Sequence, residues 1–511
     1  MKKQWRMIII SGGVLVALLL TWLISSLVMP GTGTETTATT TAAVPAVFEA
    51  EETKIAQIDI SSANGGFTLL PEQVKDKDGK VSVIWSVKGK TGYPFSASTI
   101  SDVVSLATLV YASSEIASNV TDLSSYGLDK PAATLTVTLA SGEKNVILFG
   151  KEIVSGYYDY VTLQGSGRVC TVASTSAEKV KYSLLDLLNK DQLIGIEQKK
   201  LTGLVFNRAR DNTEIDMNIK LIGEETDENS YQEFTVTKPI KRSGSSDSLT
   251  TMVTEATAAA VDKFIELDPK DLAKYGLDKP QYTFKLQSAD KTVLLKLGTK
   301  ADSSNYYAIC DTIPAVFTIA ASAFTTIDMK VIEMLDRFVC LQSIWTVSQI
   351  DADLFGTRFS TEIAMTKDQK AEDEGVVFKL DGKDAKIFSE DDDSLYSSFY
   401  QKIIGIMIAG LDTEAKPVNT HTASLTFHIK EDTENKVAAY TKKIEFVKRD
   451  DYNYYVFIDG EYAGFYVDGE DTFTSKKTDD EGILVAYKKL SYAIEHAVDG
   501  IFNTEKGYQL D

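Results

Sequence analysis

Histidine and cysteine are nearly absent, with three of each in 511 residues. Three cysteines cannot build the disulfide framework on which small secreted scaffolds depend. So few Cys and His also leave no closely spaced ligand set for a structural zinc. Cationic charge is short as well: 53 Lys and Arg face 73 Asp and Glu, for a net charge of −20. Nucleic-acid binding needs clustered Lys and Arg to neutralise phosphates, so a nucleic-acid partner is excluded. Catalytic signatures are missing too. There is no Gly-x-Ser-x-Gly elbow, no phosphate-binding Walker loop and no Gly-x-Gly-x-x-Gly dinucleotide fingerprint. Apolar residues are plentiful, at 43% of the chain, so it is neither disordered nor starved of core. Its length exceeds a single core and predicts about three domains.

Location is written at the N-terminus. Lys2, Lys3 and Arg6 precede Met7 to Met29, which holds 23 residues without a charged side chain. As a helix rising 1.5 Å per residue that stretch spans about 34 Å, enough to cross a bilayer. The basic residues stay cytoplasmic, so residues 1–6 are a cytoplasmic end and the bulk of the chain is expected to be extracytoplasmic. The alternative is a cleaved signal peptide, whose apolar region is shorter and whose small-residue site follows closely. Val44-Pro45-Ala46 lies too far downstream for that, so the preferred reading is an uncleaved single-pass anchor in the cell membrane. Residues 30–50 are rich in Thr and Ala and read as a flexible stalk. Cys170, Cys310 and Cys340 all lie in apolar sequence and are expected to be buried free thiols.

Self-similarity organises the rest. Asp122-Leu-Ser-Ser-Tyr-Gly-Leu-Asp-Lys-Pro131 returns 149 residues later as Asp271-Leu-Ala-Lys-Tyr-Gly-Leu-Asp-Lys-Pro280, with eight of ten positions identical. Asp268-Pro269 reads as an N-cap and first helical position. A short helix would end at Tyr126 or Tyr275. Gly127 or Gly276 would supply the left-handed cap, and Leu128 or Leu277 would contact the Leu five residues before it. Lys-Pro131 and Lys-Pro280 then force extended backbone and launch a strand. The motif thus reads as structural punctuation, not a ligand loop.

Its flanks repeat. Alternating strands follow at Thr134–Leu139 and Tyr282–Leu286, then strands ending at Gly150 and Gly298. Tyr-rich strands come next, then Val169–Val172 and Val316–Ile319. Ahead of each motif lies a helical stretch, 98–117 and 246–264, with apolar residues three and four apart. A degraded third copy has a strand at 376–380, an acid-led helix at 389–409, and Gly410-Leu411 with Lys416-Pro417 in the place of the punctuation. It continues with strands at 424–428, 454–458 and 465–467, Asp459-Gly460 forming a hairpin turn. Opening strands recur near Ile58, Leu204 and Ile344, and a terminal helix is expected over 483–502. The expected fold is α+β: tandem modules of antiparallel sheet with packed helices, behind one N-terminal transmembrane helix. The modules span 51–200, 201–342 and 343–511.

The doubled Tyr-Gly-Leu-Asp-Lys-Pro with its β-meander, behind a single N-terminal span, resembles a bacterial family built on domain of unknown function 4340. The resemblance covers roughly residues 51–334, and copy three departs from it by losing the Tyr and Gly. It implies membrane-anchored proteins facing the exterior, with no established activity. Some relatives are encoded near ABC-type transporters, which points to an accessory role at the cell envelope.

The candidate chemistry is thin. His421 and His428 are seven apart in strand-like sequence and would face opposite ways, against a shared metal or dyad. Asp76-Lys-Asp-Gly79 lacks the oxygen ligands of a calcium loop on either side and reads as a polar turn. Paired carboxylates abound, but spacing identifies no glycosidase pair. Tyrosines fall at equivalent places in all three modules: Tyr157, Tyr158 and Tyr160; Tyr306 and Tyr307; Tyr452, Tyr454 and Tyr455. One of each adjacent pair would face outward, offering a protein or glycan contact. The expected function is a non-enzymatic, extracytoplasmic interaction protein that needs no cofactor. Its partners would be the membrane and an envelope protein such as an ABC-type permease. The alternatives are a cell-wall or polysaccharide binder and a hydrolase.

Overall fold

The computed structural model describes residues 45–508, apart from 76, 78–80, 192, 434 and 478–480. The basic end, the apolar segment Met7–Met29 and most of the stalk lie outside the described residues, as does most of Asp76–Gly79. No helix among the described residues is long and apolar enough to cross a membrane.

Three large antiparallel sheets follow one another along the chain. The first uses β2 (Ile55–Ser62), β3 (Gly65–Lys75), β4 (Val81–Val87), β6 (Ser114–Ala117), β7 (Ala133–Leu139), β8 (Lys144–Glu152), β9 (Tyr158–Leu163) and β10 (Val169–Ala173). A small ribbon, β1 (Phe48–Glu49) with β5 (Leu109–Val110), sits beside it. The second holds β11 (Leu201–Arg208), β12 (Thr213–Ile222), β13 (Tyr231–Lys238), β14 (Arg242–Ser243) and β15 (Lys263–Leu267). It is completed by β16 (Tyr282–Ser288), β17 (Thr292–Lys300), β18 (Asn305–Cys310) and β19 (Ile313–Ala320). The third holds β20 (Val347–Leu354), β21 (Thr357–Ala364), β22 (Val377–Leu380), β23 (Lys383–Asp384) and β24 (Gly410–Leu411). It ends with β25 (Ala423–Ile429), β26 (Tyr440–Lys448), β27 (Asn453–Ile458) and β28 (Glu461–Asp468).

The strand order is the same in all three. The second sheet runs β14-β13-β12-β11-β16-β17-β18-β19-β15, and the third runs β23-β22-β21-β20-β25-β26-β27-β28-β24. The first runs β4-β3-β2-β7-β8-β9-β10-β6 and, among the described residues, lacks the outermost short strand. Each opening strand pairs with the strand launched by the motif (β2 with β7, β11 with β16, β20 with β25), so two hairpin halves meet at the centre of the sheet.

One face of each sheet is covered by helix. The longer helices are α1 (Ala97–Thr108), α3 (Ser246–Thr257), α4 (Leu395–Ile404) and α5 (Ile483–His496), with a single turn α2 at Ser174–Ala177. Ser96 caps α1 by accepting the Thr99 N–H at 3.2 Å, and Ser394 caps α4 by accepting that of Ser397 at 3.2 Å. Alternation explains the packing: β25 reads buried, half-buried in strict period two. Each module has its own core, with Phe149, Phe206, Phe284, Phe317, Phe427 and Phe446 all fully buried. Burying a side chain of that size contributes about 1.5–3 kcal/mol. Cys170, Cys310 and Cys340 are free and buried, as expected.

Several expectations are corrected. The helices predicted over 98–117 and 246–264 stop at Thr108 and Thr257; Leu109–Val110 then form β5, paired with β1, and the edge strands β6 and β15 follow. Helical spacing continues through Ala258-Ala259-Ala260, but pairing with β10 and β19 wins: Asp262 N donates to Thr318 O at 2.9 Å, and Phe264 packs on Phe317 at 6.2 Å. Asp268-Pro269 starts no helix, because Asp268 has φ 51 and only a 3-10 turn follows, at Ala273–Tyr275. Gly410-Leu411 is the edge strand β24 and not a helix stop. The acidic run 390–393 precedes the Ser394 cap and lies outside α4. The terminal helix ends at His496, and Ile344 lies in a 3-10 turn just ahead of β20.

Candidate interaction surfaces

The repeated motif is a turn pinned to the sheet. Asp122 Oδ1 accepts the Ser124 N–H at 2.9 Å, and Asp271 Oδ1 accepts that of Ala273 at 3.0 Å. This explains the invariant Asp at the head of both copies. Gly127 and Gly276 both take φ 66, and the next residue closes back: Leu128 N to Leu123 O at 3.2 Å, Leu277 N to Leu272 O at 3.0 Å. The strand glycines let the turn lie directly on the sheet. A Cβ on Gly150 would sit 2.4 Å from the Tyr126 carbonyl oxygen, and one on Gly298 would sit 2.2 Å from that of Tyr275. After Pro131 and Pro280 the backbone joins the ladder through Ala132 N to Phe149 O and Gln281 N to Leu297 O, both 2.8 Å. Tyr275 also donates to Glu266 Oε2 at 2.6 Å, where Lys274 arrives at 2.6 Å. Lys274 and then Tyr275 hold the Glu266 carboxyl below its ordinary range.

The motif tyrosines explain where most of the Tyr-rich strands point. Tyr160 meets Tyr126 edge-on at 5.1 Å, and Tyr307 meets Tyr275 the same way at 4.9 Å. Tyr306 is buried against Tyr282 at 5.9 Å. Tyr454 packs on Phe355 and Phe473, while Tyr455 packs on Tyr462 and donates to Asp412 Oδ2 at 3.1 Å. Outward tyrosines among these sites are Tyr157 and Tyr158 in the first module, 75% and 39% exposed, and Tyr452 in the third, 77% exposed. Tyr306, Tyr307, Tyr454 and Tyr455 of the second and third modules pack on other rings instead.

A polar row on the open sheet face was missed. Asp59 receives Gln57 Nε2 at 2.8 Å and Thr68 Oγ1 at 2.7 Å. Asp351 receives Gln349 Nε2 at 2.8 Å, Ser360 Oγ at 2.7 Å and His428 Nε2 at 2.7 Å. The signal was legible as Gln57-Ile-Asp59 and Gln349-Ile-Asp351. In the second module the equivalent positions carry Gly203 and Val205, and the row is lost. Burial acts to raise the Asp351 pKa, but the three donors together outweigh it and hold the carboxyl below its ordinary range. The order of groups matters for chemistry. Ser360 donates to the carboxylate and not to His428, so the imidazole cannot take the serine proton and no nucleophile is built. His421 faces a different carboxylate, Glu445 at 3.2 Å. No group of Cys, His, Asp and Glu among the described residues could hold a metal ion.

A concavity of about 280 Å³ in the third module is lined by Arg337, Gln401, Met407, Asp468, Asp471 and Glu481. Its carboxylates are engaged locally: Asp468 Oδ1 accepts the Asp471 N–H at 2.9 Å, and Glu481 pairs with Lys489 at 2.5 Å.

The modules are joined by a repeated device. The loop after the third strand of one module docks beyond the edge strand of the next. Lys90 Nζ reaches Asp268 Oδ2 at 2.5 Å, and Tyr93 OH donates to Oδ1 at 2.6 Å. Phe95 packs against both neighbouring cores. At the next junction Arg242, on β14, donates from Nε to Asp336 O at 2.5 Å and from Nη2 to Phe338 O, in the segment that leaves the second module. Its guanidinium lies over the Phe465 ring of the third module at 5.3 Å. Ile408 N of the third module donates to Arg337 O of that segment at 2.8 Å. Ile240 packs against both cores there. Asn119, the first-module counterpart of Asp268, keeps the left-handed backbone at φ 58 and is exposed.

The family model for a domain of unknown function (DUF4340) matches residues 85–243 and again 235–394. The chain belongs to this family. Its DUF4340 matches start one repeat apart, at 85 and 235, and each begins in or beside a third strand and ends near the next one. Each match therefore includes a module junction. No curated protein and no solved structure matches the chain.

Proposed function

We propose that this DUF4340 chain is a non-enzymatic, membrane-anchored, extracytoplasmic interaction protein of the cell envelope, auxiliary to an ABC-type transporter. The carrying observation is the combination of locked junctions with open sheet faces. Lys90, Tyr93 and Arg242 fix one module against the next, while rows such as Gln349, Asp351 and His428 remain half-exposed. That build suits a scaffold presenting a broad hydrogen-bonding surface more than a cleft that excludes water. The anchor rests on the apolar segment Met7–Met29 and its basic flank. Affinity purification of the full chain from detergent-solubilised membranes should recover a permease reproducibly. Recovery of no membrane partner, with firm retention on purified cell wall, would sink this reading.

A polysaccharide-binding reading is favoured by Tyr157 and Tyr158, adjacent and exposed in the first module. Replacing both with Ala should then abolish retention on purified wall. Unchanged retention would count against it.

A further inference from the structure

Strand β4 is the outer edge of the first sheet, and nothing among the described residues pairs with its far side. The equivalent strands in the other modules are blunted. β13 carries Glu233 and Lys238 and is covered by β14 at Thr235 and Val236. β22 is only four residues long, carries Lys379 and is covered by β23. β4 has neither device, since its seven residues Val-Ser-Val-Ile-Trp-Ser-Val include no charge. An uncovered, uncharged edge of that length is a template for another strand.

The strand also reads nearly the same in both directions. Antiparallel pairing with its own copy about a twofold axis at Ile84 sets Val81 against Val87, Ser82 against Ser86, Val83 against Trp85 and Ile84 against Ile84. Within residues 81–87 this register brings no like charges together; the first such pair in the sequence, Lys80 opposite Lys88, falls just beyond the strand ends. The backbone agrees with the same register. Lys88 N donates to Thr68 O at 2.9 Å, so even-numbered residues of β4 bond inward to β3. Alternation then turns the N–H and C=O groups of Val81, Val83 and Trp85 outward. About an axis at Ile84, Val83 and Trp85 meet as mutually hydrogen-bonding pairs, outward groups facing outward groups. Ile84, 56% exposed, falls at the close non-hydrogen-bonded position against its twin.

We infer that this edge is a homodimer interface, in which β4 of two copies pair antiparallel about Ile84 to make one continuous sheet. The twofold is closed, which separates it from open edge-to-edge aggregation.

The test uses the full chain in detergent, with light scattering and mild oxidative cross-linking. The native chain is expected at twice the chain mass. Ile84→Cys should cross-link to itself, because a non-hydrogen-bonded pair places Cα atoms about 4.5 Å apart, within disulfide reach. Ser82→Cys alone should cross-link at least tenfold less, and mixing it with Ser86→Cys should restore the bond. The native thiols are buried and give little background. Ile84→Lys should yield monomer with an unchanged circular dichroism spectrum. A monomeric native chain overturns the inference. So does a dimer that survives Ile84→Lys, a failure of Ile84→Cys to cross-link, or self-linking of Ser82→Cys as ready as that of Ile84→Cys.

Discussion

Single atoms decide how the motif sits on its sheet. Gly298 passes beneath the Tyr275 carbonyl, where a Cβ would lie 2.2 Å from the oxygen and 3.1 Å from Leu277 Cδ2. Both are held by backbone and core, so the added carbon has nowhere to go. Gly298→Ala should therefore destabilise the second module by more than about 2 kcal/mol, seen as a lower denaturation midpoint. An unchanged midpoint would mean that the turn is not pressed onto β17. The thiols give a second residue-scale prediction. Burial pushes the pKa of Cys170, Cys310 and Cys340 upward, so each is kept as the unreactive thiol. The native chain at pH 8 should react with a thiol reagent at less than a hundredth of the rate found in denaturant. Rapid labelling of any of the three would contradict the packing.

The elements themselves show what a sequence can reveal. Repeated Gly, Leu and Lys-Pro disclosed the turn and the strands after it because backbone geometry demands those residues locally. The ends of α1 and α3 were hidden because pairing with β1 and β19 is a tertiary event, and Ala258 to Ala260 favour helix on their own. Gly410-Leu411 misled because an edge strand and a helix stop use the same two letters. The outward direction of the tyrosines was illegible for a related reason: alternation tells that Tyr306 and Tyr307 oppose each other, but not that Tyr275 waits over one of them. The Asp268 latch was misread as a cap. Its carboxyl is held below its ordinary range by Lys90 first and Tyr93 next, and the Lys90 ammonium is held above its ordinary range by Asp268. A depressed carboxyl stabilises fully above its unfolded pKa of about 3.9 and loses that contribution as pH falls through the folded value. A raised lysine stabilises fully below about 10.4 and loses its contribution as pH climbs through the folded value. Hydrogen exchange at residues 88–95 should thus rise below about pH 4 relative to the rest of the module. Asp268→Asn should show raised exchange already at pH 7 and little further change in acid. Equal pH dependence in both proteins would remove the latch from the account.

At the scale of the whole chain, the two junctions are built from different physics and should fail differently. The first rests on a partly solvated ion pair, Lys90 with Asp268, which salt weakens. The second rests on Arg242, whose guanidinium is buried deeply enough that desolvation pulls its pKa down, with carbonyls of Asp336 and Phe338 and the Phe465 face as partners. Its packing is tight nearby, since a Cβ on Gly464 would lie 2.9 Å from Ile240 Cγ2. Molar salt should therefore loosen the first junction and spare the second. Arg242→Ala leaves a void over Phe465 and releases the 336–338 segment through which the second module is bonded to the third by Ile408 N to Arg337 O, a loss of about 2–4 kcal/mol in coupling between the two. Calorimetry of the variant should show the third module melting as a separate, earlier transition, while the native chain melts the two together at low and high salt. A variant that keeps one shared transition would assign the coupling to Ile240 and the apolar contact across the junction, and Ile240→Ala should then split the transition in its place.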